Sequence, residues 1–468
     1  MRLNAGDVID GFELIERMAQ GGMGTVWRAR HPDHAFPIVM KVPFFDPGQD
    51  VSTIVGYEVE EMVLKRLSGP HVPKFCGSGD LAAVPYIAME FVEGRNLGTY
   101  IEEIADNPQE IARIGALIAT ALASIHRQNV IHLDLKPDNI MIATRGAVLI
   151  DFGLSRHFDL PDLLGEESDV PMGTPAYIAP EQVMGNRSVF ASDIFALGCI
   201  LYEAATGVKP FGEPASTAGM KRRLHHMPEP VRALNKRIPR WLATVIAKCM
   251  ETDPARRYAN AGNVAFDLTH VDQIVVAPET RTIVGEKGGF LARMFKKKPA
   301  APVFTMPAPI RGNGRAIVLA AVDLSDGADA LAEEVRGEAS RVLAASRGAR
   351  LACLTVLKTE LIGQDEQPDA EGRPAYVSRL VALRDWAQPL GLDDDAVSFH
   401  VVEAVSPGQA ILNYASHNDV GHIVMGARAS SALRRHLGSV STEVVANALC
   451  SVSVVRVKRI EEKALQTA

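Results

Sequence analysis

Ile38-Val39-Met40-Lys41 is a short apolar strand pattern that ends in a single lysine. An ammonium carried on a buried strand can neutralise phosphate oxygens, and phosphoryl transfer is carried out largely by positioning and charge. Lys41 needs a carboxylate to fix it. The helical pattern from Val51 to Leu67 offers Glu60, one turn before Leu64, on a face marked by Val59, Val63, Leu64 and Leu67. Glu58 and Glu61 read as exposed helix charges. Upstream, Met18-Ala19-Gln20-Gly21-Gly22-Met23-Gly24-Thr25-Val26 lies between two strand-like runs and reads as a hairpin turn. Its glycines let backbone N–H groups approach phosphate oxygens with no Cβ in the way. Taken alone, the same loop also suits an ordinary tight hairpin.

Ile131-His132-Leu133-Asp134-Leu135-Lys136-Pro137-Asp138-Asn139 and Asp151-Phe152-Gly153 supply the remaining parts. Asp134 is placed to accept or orient the proton of a substrate hydroxyl, Lys136 to neutralise a γ-phosphate, and Asn139 to hold a magnesium ion. Asp151, after a strand from Ala147 to Ile150, can bridge metal and phosphates. Cradle, cation, carboxylates and hydroxyl-orienting group follow one another in a consistent order, which points to ATP and Mg2+. A nucleotide-binding scaffold without catalysis is the competing class. The joint presence of Lys41, Asp134, Asn139 and Asp151 weighs against it.

Together with Ala179-Pro180-Glu181, the run from Asp193 to Gly198 and Arg257, these motifs resemble the eukaryotic-type protein kinases from Gly11 to Thr269, in wording close to the bacterial branch. The resemblance implies a bilobal α+β kinase fold and an ATP-dependent serine/threonine kinase acting on proteins. It implies catalytic roles for Lys41, Glu60, Asp134 and Lys136. Nucleotide contacts fall to Met18 through Val26, Lys41, Glu90 and Val92, and metal binding to Asn139 and Asp151. Met89 looks like the gatekeeper, and Glu90 to Val92 like the hinge that meets adenine through backbone groups. Glu181 and Arg257 look like a buried ion pair, and Leu64, His132 and Phe152 like an apolar stack. Lys136 and Thr174 match the serine/threonine pattern rather than the tyrosine one.

Two positions depart from the family. Ala19 replaces the first glycine of the phosphate loop, which is tolerable if φ stays negative and predicts some loss of ATP affinity. Leu133 stands where many kinases carry an arginine that reads a phosphate on the activation segment. The segment Leu154 to Met172 contains no threonine and is acidic, with Asp159, Asp162, Glu166, Glu167 and Asp169. A phosphate added there would meet like charge, so activity is expected not to depend on modification of Ser155 or Ser168.

The elements that position these residues sit in a chain of 468 residues, enough for two or three domains of about 150 residues each. Hydrophobic residues make up 47% and charged ones 22%, an ordinary globular balance. The net charge of −7 gives no global reason to expect nucleic-acid binding. Five dispersed cysteines indicate neither a disulfide framework nor a zinc site. The start lacks the apolar core of a secretory signal and no run approaches a membrane span, so a soluble cytoplasmic protein is expected.

The domain reading is a kinase domain over 1–272, a flexible linker over 273–315, a second domain over 316–458 and a tail over 459–468. The linker is rich in Pro and Gly and carries a basic run, Phe295 to Pro299, that reads as a solvated patch. Its Thr280 and Thr282 are candidate autophosphorylation sites.

From Ala316 on, Val/Ile/Leu strands alternate with Ala-rich helices, the pattern of a parallel α/β domain. Strands are expected at Ile317 to Val322, Arg350 to Leu357, Val397 to Val402, His422 to Gly426 and Ser451 to Val457, and a helix from Asp329 to Ser346. Ala321 to Ser325, Ile423 to Ala429 and Leu437 to Arg456 resemble the universal stress protein family. That resemblance implies an adenosine contact at Asp323 and phosphate contacts near Gly426, Gly438 and Ser439. Ala429 replaces a family glycine, and the spacing to Gly438 is one residue short. Two readings follow: a second ATP or AMP site acting as a regulatory sensor, and a non-binding domain used for dimerisation or docking, the second being favoured. Arg434 and Arg435 read equally as phosphate contacts or exposed helix charges. The resemblance also makes a homodimer through this domain an expectation.

Overall fold

The computed structural model describes residues 3–21, 24–44, 51–105, 107–167, 170–274, 315–325, 327–358, 373–427 and 438–457. The basic run, Thr280, Thr282, Ser168, Ala429, Arg434 and Arg435 lie outside these residues, as do Gly22 and Met23 of the phosphate loop.

The first strands are β1 (Val8–Ile9), β2 (Phe12–Gly21), β3 (Gly24–Arg30) and β4 (Ile38–Pro43). Helix α1 (Val51–Leu64) follows, then β5 (Phe75–Ser78) and β6 (Ile87–Glu90). The strands form one antiparallel sheet in the order β1-β2-β3-β4-β6-β5. Successive side chains of a strand point to opposite faces. Trp27, Ala29, Ile38, Met40 and Val42 therefore pack with Phe12, Leu14 and Tyr86 in one apolar layer, while Lys41 falls on the other face. Cross-strand partners share a face, so Ala19, Val26, Lys41 and Ile87 make one row across four strands.

The helical lobe begins after β7 (Arg95–Asn96) with α2 (Pro108–His126). Asn107 caps α2 by accepting from the Glu110 amide, with Pro108 in the first turn, where its missing N–H has no helical partner to lose. Short strands β8 (Val130–Ile131), β9 (Ile140–Ala143), β10 (Gly146–Leu149) and β11 (Arg156–His157) carry the loops between them. A short helix, α3 (Leu163–Glu167), follows. Helices α4 (Ala191–Thr206), α5 (Arg240–Cys249) and α6 (Ala261–Thr269) complete the lobe. Helix α4 is apolar nearly all round because it runs through the middle of the core, and Gly207 in the left-handed region (φ +73°) ends it. This is the two-lobed kinase fold, with β10 set one residue earlier than expected and α1 ending at Leu64 rather than Leu67.

The second domain is a five-stranded, wholly parallel sheet in the order β14-β13-β12-β15-β16. Its strands are β12 (Ile317–Ala321), β13 (Arg350–Lys358), β14 (Val397–Ala404), β15 (His422–Gly426) and β16 (Ser451–Val455). Helices α7 (Asp329–Ala345), α8 (Ala375–Ala387), α9 (Pro407–His417) and α10 (Ser439–Asn447) connect and flank them. Two separate apolar clusters, one around Leu319 and Ile423 and one around Ala320 and Val424, cover the two faces of the sheet. Burial on both faces explains why these strands read as continuous apolar runs.

The two domains share an apolar interior. Ile54 of α1 and Leu163 and Leu164 of α3 belong to the same cluster as Tyr376, Val377 and Leu380 of α8 and Val401 of β14. At its edge the Glu166 carboxylate, 3% exposed, is received by four side chains of the second domain. Arg350 meets Oε1 at 2.5 Å, while Tyr414 donates to Oε2 at 2.9 Å, His400 Nε2 lies 3.1 Å from it and Ser398 lies 3.4 Å away. Asn418 donates to the Glu166 carbonyl at 3.0 Å, and the His417 ring meets that of Gly165 at 2.9 Å. A second ion pair joins Arg384 of α8 to Glu58 of α1. Glu58 is buried, which corrects its reading as an exposed charge; Glu61 is half-buried and pairs with Lys65 and Ser78.

His400 is faced by Glu166 and Glu167 of α3, by Ser398 of its own strand and by the Tyr414 ring, with Arg350 beyond Glu166. Burial lowers its pKa, but the two carboxylates prevail and raise it from 6.5 to about 9. Burial raises Glu166, but Arg350 and His400 prevail and lower it from 4.5 to about 2. A raised His pKa stabilises the fold fully below pH 6.5 and is lost as pH climbs through about 9. A lowered carboxyl pKa stabilises it fully above pH 4.5 and is lost as pH falls towards about 2. The thermal midpoint should therefore fall between pH 6.5 and 9, and His400→Gln should flatten that decline in a melting series across pH.

Candidate active site

The row Ala19–Val26–Lys41–Ile87 points Lys41 at α1, where Nζ meets Glu60 Oε1 at 2.5 Å. Burial lowers the Lys41 pKa, but Glu60 and Asp151 outweigh it and hold the ammonium above its ordinary value. Asp151 Oδ1 lies 3.8 Å from Nζ, and Lys41 holds that carboxyl below the usual range. Helix α1 passes the turn after Asp151 at Gly56, where a Cβ would make an ordinary contact, 3.4 Å, with the Gly153 carbonyl oxygen. Nothing in the sequence pattern marks Gly56.

At the hairpin, a Cβ on Gly24 would lie 2.3 Å from the Val42 carbonyl oxygen, so only glycine fits. Ala19 is exposed and is absent from the positive-φ residues, which meets the condition for tolerating it. Met89 and Val92 are buried, whereas the Glu90 side chain is taken by Arg145 at 2.5 and 3.0 Å.

Asp134 is the centre of the second cluster. Its Oδ1 accepts from both the amide and the hydroxyl of Thr174 at 2.7 Å, and its Oδ2 faces Lys136 Nζ at 3.0 Å. Lys136 also reaches the Thr174 hydroxyl at 3.3 Å. The Asn139 amide nitrogen is used on the Asp134 carbonyl at 2.9 Å, which leaves the Asn139 carbonyl oxygen as a donor atom. Leu133 (φ +64°) and Asp151 (φ +66°) both occupy the left-handed region, unusual for non-glycine residues.

The surroundings hold this loop in place. Buried Asp193 accepts from the His132 and Leu133 amides, both at 2.9 Å, and from His126 at 2.8 Å. Gln182 donates to the Leu133 carbonyl at 2.8 Å and accepts from the Ala179 amide at 3.1 Å. The role of Gln182 has no sequence signal beyond its place next to Glu181. The His132 and Phe152 rings lie tilted against each other with centroids 5.2 Å apart, and Phe152 shares its core cluster with Leu64. Glu181 and Arg257 form a two-pronged pair at 2.6 and 2.8 Å with both side chains fully buried.

The activation segment is acidic, but two of its carboxylates are not solvated. Asp162 is buried against Arg187 (3.1 Å) and Arg156 (3.6 Å), and Glu166 is buried in the second domain. Ser155 is buried too, donating to the His132 carbonyl at 3.1 Å, so its hydroxyl is not presented to an enzyme.

Among the described residues no group of three or more His, Cys, Asp or Glu side chains is placed to hold a metal, and no helix is long and apolar enough to cross a membrane. Asn139 and Asp151 do offer hard oxygen atoms, on segments joined where the Ile150 amide donates to the Asn139 main-chain carbonyl at 3.0 Å, and these are the ligand type a divalent cation shared with phosphates requires. In the second domain a cavity of about 570 Å³ opens at the C-terminal ends of β12, β13 and β15. Asp323, Lys358, Gly426, Gly438 and Ser439 are among its lining residues. A Cβ on Gly426 would meet the Leu331 side chain at 2.6 Å and force it to move.

A two-lobed fold whose cleft gathers a paired lysine, a hydroxyl-bound aspartate and an amide–carboxylate donor set defines a protein kinase domain. The family model described as "Protein kinase domain" matches residues 12–267, and the chain belongs to that family. The model of the universal stress protein family matches residues 315–456. The chain is 31% identical over 262 residues to "Probable serine/threonine-protein kinase CPE1738" of Clostridium perfringens, covering 56% of this chain and 38% of that protein. It is 33% identical over 276 residues to serine/threonine-protein kinase PkaA of Streptomyces coelicolor, covering 55% and 49%. It thus spans about half or less of these curated relatives. A crystal structure of the Mycobacterium tuberculosis PknI kinase domain aligns with 57% of the chain and 99% of that structure, at 21% identity and a TM-score of 0.46.

The two hairpin positions separate by experiment. Overpacking a tight backbone contact costs about 1–3 kcal/mol, so Gly24→Ala should weaken ATP binding by about tenfold in a nucleotide titration. Ala19→Gly should change it by less than about threefold, because its methyl is exposed and its backbone unstrained.

Proposed function

We propose that the chain transfers the γ-phosphate of ATP to serine and threonine hydroxyls of proteins, with Mg2+ as its metal. The observation that carries this reading is the Asp134 Oδ1 already accepting a threonine hydroxyl at 2.7 Å beside the Lys136 ammonium. A substrate hydroxyl in that position loses its proton to Asp134 as its oxygen forms the new bond to phosphorus and the bond to the β-phosphate oxygen breaks. Lys136 offsets charge on the transferring group, and Lys41, fixed by Glu60, offsets it on the α- and β-phosphates. A magnesium ion bound by Asn139 and Asp151 would supply the rest of the neutralisation. The hairpin from Met18 to Val26 covers the phosphates, and the backbone from Glu90 to Val92 meets the adenine.

The second domain regulates this activity, a reading supported by its burial of one helix and one segment of the kinase domain. Its cavity at the strand ends favours a second nucleotide site, since parallel sheets bind phosphates there. Equilibrium binding of labelled ATP to the full chain should then saturate at two sites rather than one; a stoichiometry of one removes the second site.

The kinase reading is tested with labelled ATP and a generic basic protein on the full chain. A positioned proton acceptor is worth about 10²–10⁴ in rate, so Asp134→Asn should lower transfer by that factor. Label on tyrosine only, or no difference between the two proteins, would end this reading.

A further inference from the structure

Where an activation segment is held by a phosphate, the phosphate needs a cation, and Leu133 removes the position from which the family supplies it. The described part of this segment places a carboxylate deep in a neighbouring domain instead. Glu166 and its helix would dock as well through an apolar side chain, which would carry no desolvation cost. A carboxylate met by Arg350, His400, Ser398 and Tyr414 makes docking depend on one geometry.

Glu58 adds an independent contact on a different element. It lies on α1, two residues from Glu60, and is held by Arg384. With both contacts made, Lys41 is closed on Glu60, Asp151 stands 3.8 Å from Lys41, and Thr174 is bound to Asp134. The docked arrangement is therefore the assembled one.

We propose that the second domain is a built-in activator of the first: Arg350 and its neighbours receive Glu166 as a cation elsewhere receives a segment phosphate, and Arg384 receives Glu58, so that docking sets both the activation segment and α1 in the arrangement that closes Lys41 on Glu60. This rests on the kinase reading above. Glu166, Arg350, Glu58 and Arg384 are positioning residues, since none reaches the reacting groups.

The test uses the full chain with Glu166→Gln, Glu166→Asp, Arg350→Met and Arg384→Met. Coupling of this kind is worth about five- to 150-fold. Glu166→Gln and Arg384→Met should lower kcat by about tenfold with the KM for ATP changed less than about threefold, and Glu166→Asp should recover part of the loss. Hydrogen exchange should quicken across Val51–Leu64 and Leu163–Glu167 in the same variants. Arg384→Met keeps the test open if the more buried Arg350→Met fails to fold, because the Arg384 side chain is 37% exposed. An unchanged or raised kcat in Glu166→Gln and Arg384→Met overturns the proposal. If the wild type transfers no more phosphate than Asp134→Asn, the kinase reading fails by itself. Exchange then decides the docking role: unchanged protection of α1 in Arg384→Met overturns it.

Discussion

Helix α1 buries two carboxylates that cannot face the same way. At about 100° per residue, Glu58 and Glu60 project about 160° apart, so a cation must meet the helix on each side. Lys41 meets it from the sheet and Arg384 from the second domain. A buried carboxylate without its partner is costly, and this constraint fixes where the helix can lie. The strand row that holds Lys41 and the seat of α8 supply the cations on its two sides.

The loop around Asp134 is held by a different kind of constraint. Leu133 and Asp151 sit in backbone conformations that their side chains disfavour, and such strain persists only where the surroundings over-determine it. Asp193 and Gln182 do this through main-chain atoms of Leu133 and His132. The loop therefore needs no arginine at position 133 to keep its shape. The apolar side chain goes into the core, where Leu133 is 3% exposed.

Pairings that are local in the chain, or that belong to ordered motifs, are legible in the amino-acid sequence alone. Lys41 with Glu60, the Asp134-to-Asn139 run, Glu181 with Arg257 and the parallel second sheet are of this kind. Contacts between distant segments are not. Glu58 and Glu166 have the ordinary appearance of helix or loop charges, and their cations lie 326 and 184 residues away. A charge pattern alone favours the solvated face because the partner that would bury it has no fixed spacing. Gln182 escapes notice for the opposite reason: it acts on a backbone atom of another segment, which no side-chain pattern reports.

The chain order of the Glu166 contact bears on how the molecule is made. Synthesis delivers the N-terminal domain first, and domains tend to fold as they emerge. Among the described residues the side chains that receive Glu166 lie beyond residue 349, so a ribosome carrying only the kinase portion holds a segment whose anchor lacks that seat. The short helix from Leu163 to Glu167 can settle into this seat only after α9 has been translated. The Glu166 contact is in this sense postponed until the strands and helix that line its seat have been made, well after the rest of the segment has emerged.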